Sequence, residues 1–213
     1  MATRPVFMPG CGSTLVDERS FEFVWAPGFS IVQKQKNIKA LHSEAKRHGI
    51  DSILEISSKS DKQIGQRLSA FGLKLRIDAG IFPLESVYQG CKVFEQGGPF
   101  THLFELQPRE AKRYIKLKNL GNLKRFQLEG KTYPLSPKNA FYDWLYIRSL
   151  EKHADWIRNN VNYDGFTDIE FNPLKQVNCQ ARAFAEYLSL LEKNKLKEVV
   201  DDFDFFADML RTI

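Results

Sequence analysis

The chain has 213 residues, 43% of them hydrophobic and 27% charged, with a formal net charge of +5. That length suits one domain, or one domain with an extension, and is enough to bury a good core. It excludes a membrane-spanning or disulfide-stapled protein: no apolar run spans a bilayer, Met1-Ala2-Thr3-Arg4-Pro5 is no secretory signal, and Cys11, Cys91 and Cys179 form no CxxC pair, which points to a reducing cytoplasm without a zinc site.

Residues 1–20, with Pro5, Pro9, Gly10 and Gly12, read as irregular. Phe21 to Trp25 reads as a strand stopped at Pro27-Gly28, with Phe29 to Gln33 as its hairpin partner. Asn37 to His48 reads as a helix with Ile38, Leu41 and Ala45 inward and Gly49 as its stop. Ser52 to Ile56 is a buried strand. The hydroxyls and lysine of Ser57-Ser58-Lys59-Ser60 follow it, as a phosphate-binding turn would, or as the cap of a helix over Asp61 to Leu68; both roles can coexist. The glycines of a P-loop are missing.

Leu73 to Ile77 is a short strand. Pro83 then opens a helix predicted to run through Leu84-Glu85-Ser86-Val87-Tyr88-Gln89-Gly90-Cys91-Lys92-Val93-Phe94 and to end near Glu95. Glu85, Gln89 and Lys92 recur at i, i+4 and i+7 and share one face, flanked by Tyr88, while Leu84, Val87, Cys91 and Phe94 point to the core. That face aligns a carboxylate, an amide and an amine. On spacing alone the better reading is an ordinary solvated face, because most charges on helices are only solvated.

Pro108 opens a helix to about Leu117. Between Arg109 and Arg125 seven cations, including Arg109, Lys112, Arg113 and Lys116, stand against Glu110 alone, a patch able to hold a phosphate backbone or simply a solvated helix. Phe126 to Leu128 is a strand before the turn at Glu129-Gly130, and Asn139 to Ala154 a long helix whose Tyr142 and Asp143 are within reach of a pocket. Gly165 to Pro173 reads as a loop between helices, with Asp168, Glu170 and Asn172, and with Asn178, Gln180 and Arg182 close behind; such polar density in an aromatic setting is a candidate site lining, or else helix capping. Gln176 to Glu192 is an apolar helix, and Asp201 onward a short terminal one. The four histidines show no metal-ligand spacing, and Cys91, on the apolar side, makes a poor nucleophile partner for His102 or His153.

Residue identities add what spacing leaves open. The stretch from Leu84 to Phe94 resembles the "VEHAYQAQKF" signature of the NADAR family, and Leu68-Ser69-Ala70-Phe71 its "LSNF" element, with Ala70 in place of the usual Asn. Over roughly Asp51 to Leu191 the chain looks like the NADAR antitoxins encoded beside DarT-type DNA ADP-ribosyltransferases. The resemblance implies an α+β, mostly helical single domain with a small β component. Residues 1–50 would be an N-terminal extension packed on the core, 51–195 the NADAR-like catalytic domain and 196–213 a helical tail. It implies a DNA ADP-ribosyl glycohydrolase that frees guanine from ADP-ribose and acts as antitoxin to a DarT-like toxin, with no cofactor and no metal. Glu85 and Lys92 would be catalytic, with Asp168 auxiliary. Ser57, Ser58, Lys59, Ser69, Phe71 and Gln89, with Asn172 and Asn178, would contact ADP-ribose, and Arg109, Lys112, Arg113 and Lys116 the DNA strand.

The chemistry fits these residue types. Breaking a ribose C1–nitrogen bond builds oxocarbenium-like charge that a carboxylate stabilises while it moves a proton. A neutral lysine offers a second route through a Schiff base. Two rival readings share the residues: an N-glycosidase acting on riboflavin-pathway intermediates, and a binding-only antitoxin that shields modified DNA or grips the toxin.

Overall fold

A computed structural model describes residues 1–211; the last two positions of the expected C-terminal tail lie outside the described residues. The fold is α+β, with helices as the larger share of regular structure and three small sheets.

The first sheet has the order β2-β1-β9-β3. Strands β1 (Ala2–Pro9) and β2 (Val16–Phe23) pair antiparallel along their whole length, from Ala2 with Phe23 to Pro9 with Val16. The first twenty residues are therefore a hairpin, not irregular chain. Pro5 and Pro9 are tolerated because they alternate with Phe7, the one residue of β1 paired to β9 (Gly165–Thr167), so β9 has no ladder partner at either proline. The charged run of β2 lies on the sheet edge, where exposed charge is expected.

The strand expected over 29–33 is instead the start of α1 (Ile31–Arg47). Ser30 accepts the Gln33 N–H and caps the helix, a local bond that competes with strand pairing. Alternation along β1 sends Val6 toward Ile38 and Leu41 of α1, and Phe7 into the main core. There Phe166 of β9 meets Phe184 edge-on, on α7 (Gln180–Glu192). The sheet is thus covered on both faces. Each fully buried side chain such as Leu41 contributes about 1.5–3 kcal/mol.

β3 (Ile53–Glu55) runs parallel to β9, so Gly165 to Thr167 is a buried strand rather than the loop expected there. Its three residues are too few to show a period-2 pattern. After α2 (Gln63–Arg67) come the hairpin β4 (Lys74–Ile77) and β5 (Gly80–Pro83), then α3 (Leu84–Gly90). The expected helix through residue 95 stops at Cys91, and Lys92 opens strand β6 (Lys92–Phe94). Gly90 marks the exit: a Cβ there would lie 2.6 Å from the Phe104 ring and 2.8 Å from the Phe100 carbonyl.

β6 pairs with β7 (Leu123–Leu128), which pairs with β8 (Lys131–Tyr133). Between them lies α4 (Pro108–Leu117). The long helix expected to Ala154 divides into α5 (Ala140–Leu150), a 3-10 turn, and α6 (Ala154–Asn160). The helix expected from Gln176 starts only at Gln180, and α8 (Leu196–Asp201) and α9 (Phe203–Arg211) close the chain.

Candidate active site

The cavity that gathers most of the predicted residues has a volume of about 320 Å³. Its floor is α3. Leu84, Val87 and Cys91 anchor that helix in the core, so Glu85 and Gln89, one turn apart, face the cavity. Both are buried, unlike residues on a solvated face.

Lys92 joins them from outside the helix. Its Nζ donates to Gln89 Oε1 at 2.7 Å, and Gln89 Nε2 donates to Glu85 Oε1 at 2.8 Å. The amide is therefore oriented at both ends and presents carboxylate and amine to one space. Lys92 Nζ also lies 4.6 Å over the Tyr88 ring. The Tyr88 hydroxyl accepts the Asn178 Nδ2–H at 2.6 Å, which ties Asn178 to the same wall.

Burial pushes the Glu85 carboxyl up, against the Gln89 hydrogen bond and the charges of Lys112 and Lys92. Burial also lowers the Lys92 ammonium to about 8, with Glu85 opposing and Lys112 assisting. The carboxyl is shifted toward its acid form and the amine beside it toward its base form, the directions a proton-transferring pair needs.

The opposite wall comes from the chain beyond β3 and β9. Ser57, Ser58, Ser69, Phe71 and Asp168 all line the cavity, with Gln180 of α7 between them. Gln180 Nε2 donates to Asp168 Oδ2 at 2.9 Å, while its Oε1 accepts the Ala70 N–H at 2.7 Å and the Ser69 hydroxyl at 3.3 Å. Burial raises the Asp168 carboxyl, opposed first by that Gln180 bond.

A second cavity of about 510 Å³ adjoins the first. The two share Ser58, Phe71, Lys112, Glu170 and Gln176, and the second adds Lys59 and Arg109. Phe71, 43% exposed, stands at the junction. Arg113 and Lys116 lie on the same face of α4 as Arg109 and Lys112, at i, i+3, i+4 and i+7, but border neither cavity.

Asn172 is not brought to the site: its Oδ1 accepts the Leu174 N–H and shapes the loop. Asp143 is fully buried in contact with Arg182 and Asn139 and does not line the cavity, whereas its neighbour Tyr142 does. Gln180, read from the sequence as part of a candidate site lining, and Tyr142, read as within reach of a pocket, both line the cavity. Their signal was the polar run from Asn178 to Arg182 and an aromatic at the start of α5. Among the described residues no group of three or more His, Cys, Asp or Glu side chains is placed to hold a metal ion, and no helix is long and apolar enough to cross a membrane.

A comparison with curated proteins finds no match. A comparison with protein families does: the model described as "DarT1-associated NADAR antitoxin" matches residues 2–213.

Proposed function

Because the chain belongs to the DarT1-associated NADAR antitoxins, we propose that it is a DNA ADP-ribosyl glycohydrolase, which reverses the modification of guanine by a DarT-like toxin in the cytoplasm. The observation that carries this reading is the Glu85–Gln89–Lys92 chain of hydrogen bonds at the floor of the 320 Å³ cavity.

In the proposed reaction the substrate carries ribose C1″ on the exocyclic amine of guanine. Protonation of the ring oxygen by Glu85 opens the sugar to an imine on the base nitrogen. The neutral Lys92 amine adds to C1″, and the guanine amine leaves with its electron pair and a proton. The lysine is then linked to C1″ as an imine. Water, deprotonated by Glu85, adds to that carbon and expels the Lys92 amine. One water is consumed, and free ADP-ribose and unmodified guanine are released. Lys92 is suited to the nucleophilic step because an ordinary lysine is neutral only to about one part in three thousand at pH 7, whereas one titrating near 8 is neutral to about one part in ten.

The remaining assignments follow from position. Ser57, Ser58, Ser69 and Gln89 would hold the ribose and the nearer phosphate, Lys59 the diphosphate in the adjoining cavity, and Phe71 would stack on a ring. Arg113 and Lys116, outside both cavities, suit the DNA backbone. The modified base must leave the stack to reach a buried floor.

The test is incubation with an oligonucleotide ADP-ribosylated on guanine, with and without borohydride. Wild type should release ADP-ribose, and borohydride should trap an adduct that Lys92→Ala does not form. Glu85→Gln should lower turnover about 10²–10⁴-fold. No release by the folded wild-type protein would overturn the proposal.

A further inference from the structure

Glu55 is a carboxylate in the apolar strand Ile53-Leu54-Glu55-Ile56, and it is 2% exposed without lining the cavity. Three donors converge on it. Its Oε1 accepts the Ser57 hydroxyl at 2.6 Å and the Ile169 N–H at 2.9 Å, and its Oε2 accepts the Thr167 hydroxyl at 2.7 Å. Ser57 Oγ in turn accepts the Lys59 N–H at 3.1 Å. Behind Thr167, His42 Nε2 lies 2.8 Å from the same hydroxyl oxygen.

These bonds begin where the backbone ladder ends. Glu55 is paired with Thr167 in the parallel register of β3 and β9, and the ladder's continuation is the Ile56 N–H to Thr167 carbonyl bond at 2.8 Å. Beyond it the two chains diverge. One becomes the Ser57–Lys59 turn, the other the Asp168–Ile169 segment, and the cavity opens between them, outside the carboxyl ends of parallel strands. Burial pushes the Glu55 carboxyl up to about 8, and the three donors fixed by the backbone around it offset part of that cost.

We propose that Glu55 is a positioning residue of the active site, a side-chain brace that sets the separation of the Ser57 and Asp168 walls and so shapes the place where ADP-ribose binds. This rests on the function proposed above. Glu55 touches no reacting atom. Its effect passes through Ser57, which lines the cavity, and through the Ile169 amide, whose neighbour Asp168 lines it.

Three variants test the brace by ADP-ribose affinity and by KM against kcat for the modified oligonucleotide. Glu55→Gln keeps the shape. Its oxygen accepts from Ser57 and Ile169, and its amide donates to Thr167, whose proton turns to His42, so affinity should stay within about threefold of wild type. Glu55→Ala should weaken ADP-ribose binding and raise KM about tenfold or more, with a smaller effect on kcat. Thr167→Val lies outside the lining of the site cavity and changes shape little, yet should weaken binding several-fold through the freed Glu55 Oε2. A folded Thr167→Val protein with wild-type affinity overturns the brace even if Glu55→Ala fails to fold, and so does a Glu55→Ala protein that folds and binds normally. If wild type binds no ADP-ribose, both the brace and the function fall; if wild type binds and the variants bind equally, only the brace does.

Discussion

A lysine held half-buried against a buried carboxylate has consequences in two directions. For chemistry, its low proton affinity means that imine formation should rise as pH passes upward through about 8, because only the neutral amine attacks. Borohydride trapping against pH should therefore show an ascending limb with that midpoint; a midpoint near the ordinary 10.5 would remove Lys92 as nucleophile. For stability, the proton inventory of the two states decides the sign. Between about 8 and the unfolded value of 10.5, the unfolded chain holds more protons than the folded one, so the Lys92 contribution makes folding more favourable as pH rises through that window. Below the window the folded state carries the cost of a buried ammonium. Lys92→Met should therefore melt above wild type at pH 7, with the gap narrowing as pH approaches 10.5, while trapping is lost. Thermal unfolding at several pH values measures this. Gln89, hydrogen-bonded to both partners, is the third member: Gln89→Met leaves Glu85 without its donor and should cost about 10- to 100-fold in turnover with the fold retained.

Among the elements, sequence spacing put Glu85 and Gln89 on one face of α3, and both line the cavity, but it carried the helix too far. Lys92 reaches the same face from a strand, because β6 pairs with β7 and the chain must leave the helix at Gly90. Period-based reading has no access to that exit, since the atoms forbidding a side chain at position 90 belong to Phe100 and Phe104. Gly90→Ala should therefore destabilise by about 1–3 kcal/mol, read as a lowered melting temperature. Strand β9 was missed for a related reason. Three residues become a strand only by pairing with β1 and β3, both distant in sequence, and Glu55 was invisible as a bracing group because its donors lie in segments that close on it only in the fold. α4, in contrast, was legible from Pro108 and its charge spacing. Its two outer cations carry a separate prediction: replacing Arg113 or Lys116 with Ala should reduce the slope of log affinity for DNA against log salt by about 0.7–0.9 each, without changing affinity for free ADP-ribose. An unchanged slope would remove that face from the DNA path.

The fold links the first residues of the chain to the candidate site. β1 lies between β2 and β9, so the strand that leads into Asp168 takes its one antiparallel partner from the N-terminal hairpin. The hairpin turn is pinned to α7 as well: the Gly10 N–H donates to Ser189 Oγ at 2.8 Å, Ser189 donates to the Leu15 carbonyl at 2.7 Å, and Lys193 Nζ donates to the Gly10 and Thr14 carbonyls. α7 begins at Gln180, the residue that holds Asp168. Removing residues 1–25 would bare Phe166 and Ile53, strand Ser189 without its partners and take Val6, Phe21 and Phe23 from the cluster that α1 covers. The loss of Val6, Phe7, Leu15, Phe21 and Phe23 from the core alone is worth about 7–15 kcal/mol by transfer energies, as much as the whole margin of a typical domain. A chain beginning at Ala26 should therefore show no cooperative unfolding transition and no ADP-ribose binding. A chain cut that way that melts cooperatively and binds ADP-ribose as wild type does would mean that β9 and α7 hold the Asp168 wall unaided, and that the N-terminal hairpin is dispensable to both fold and site.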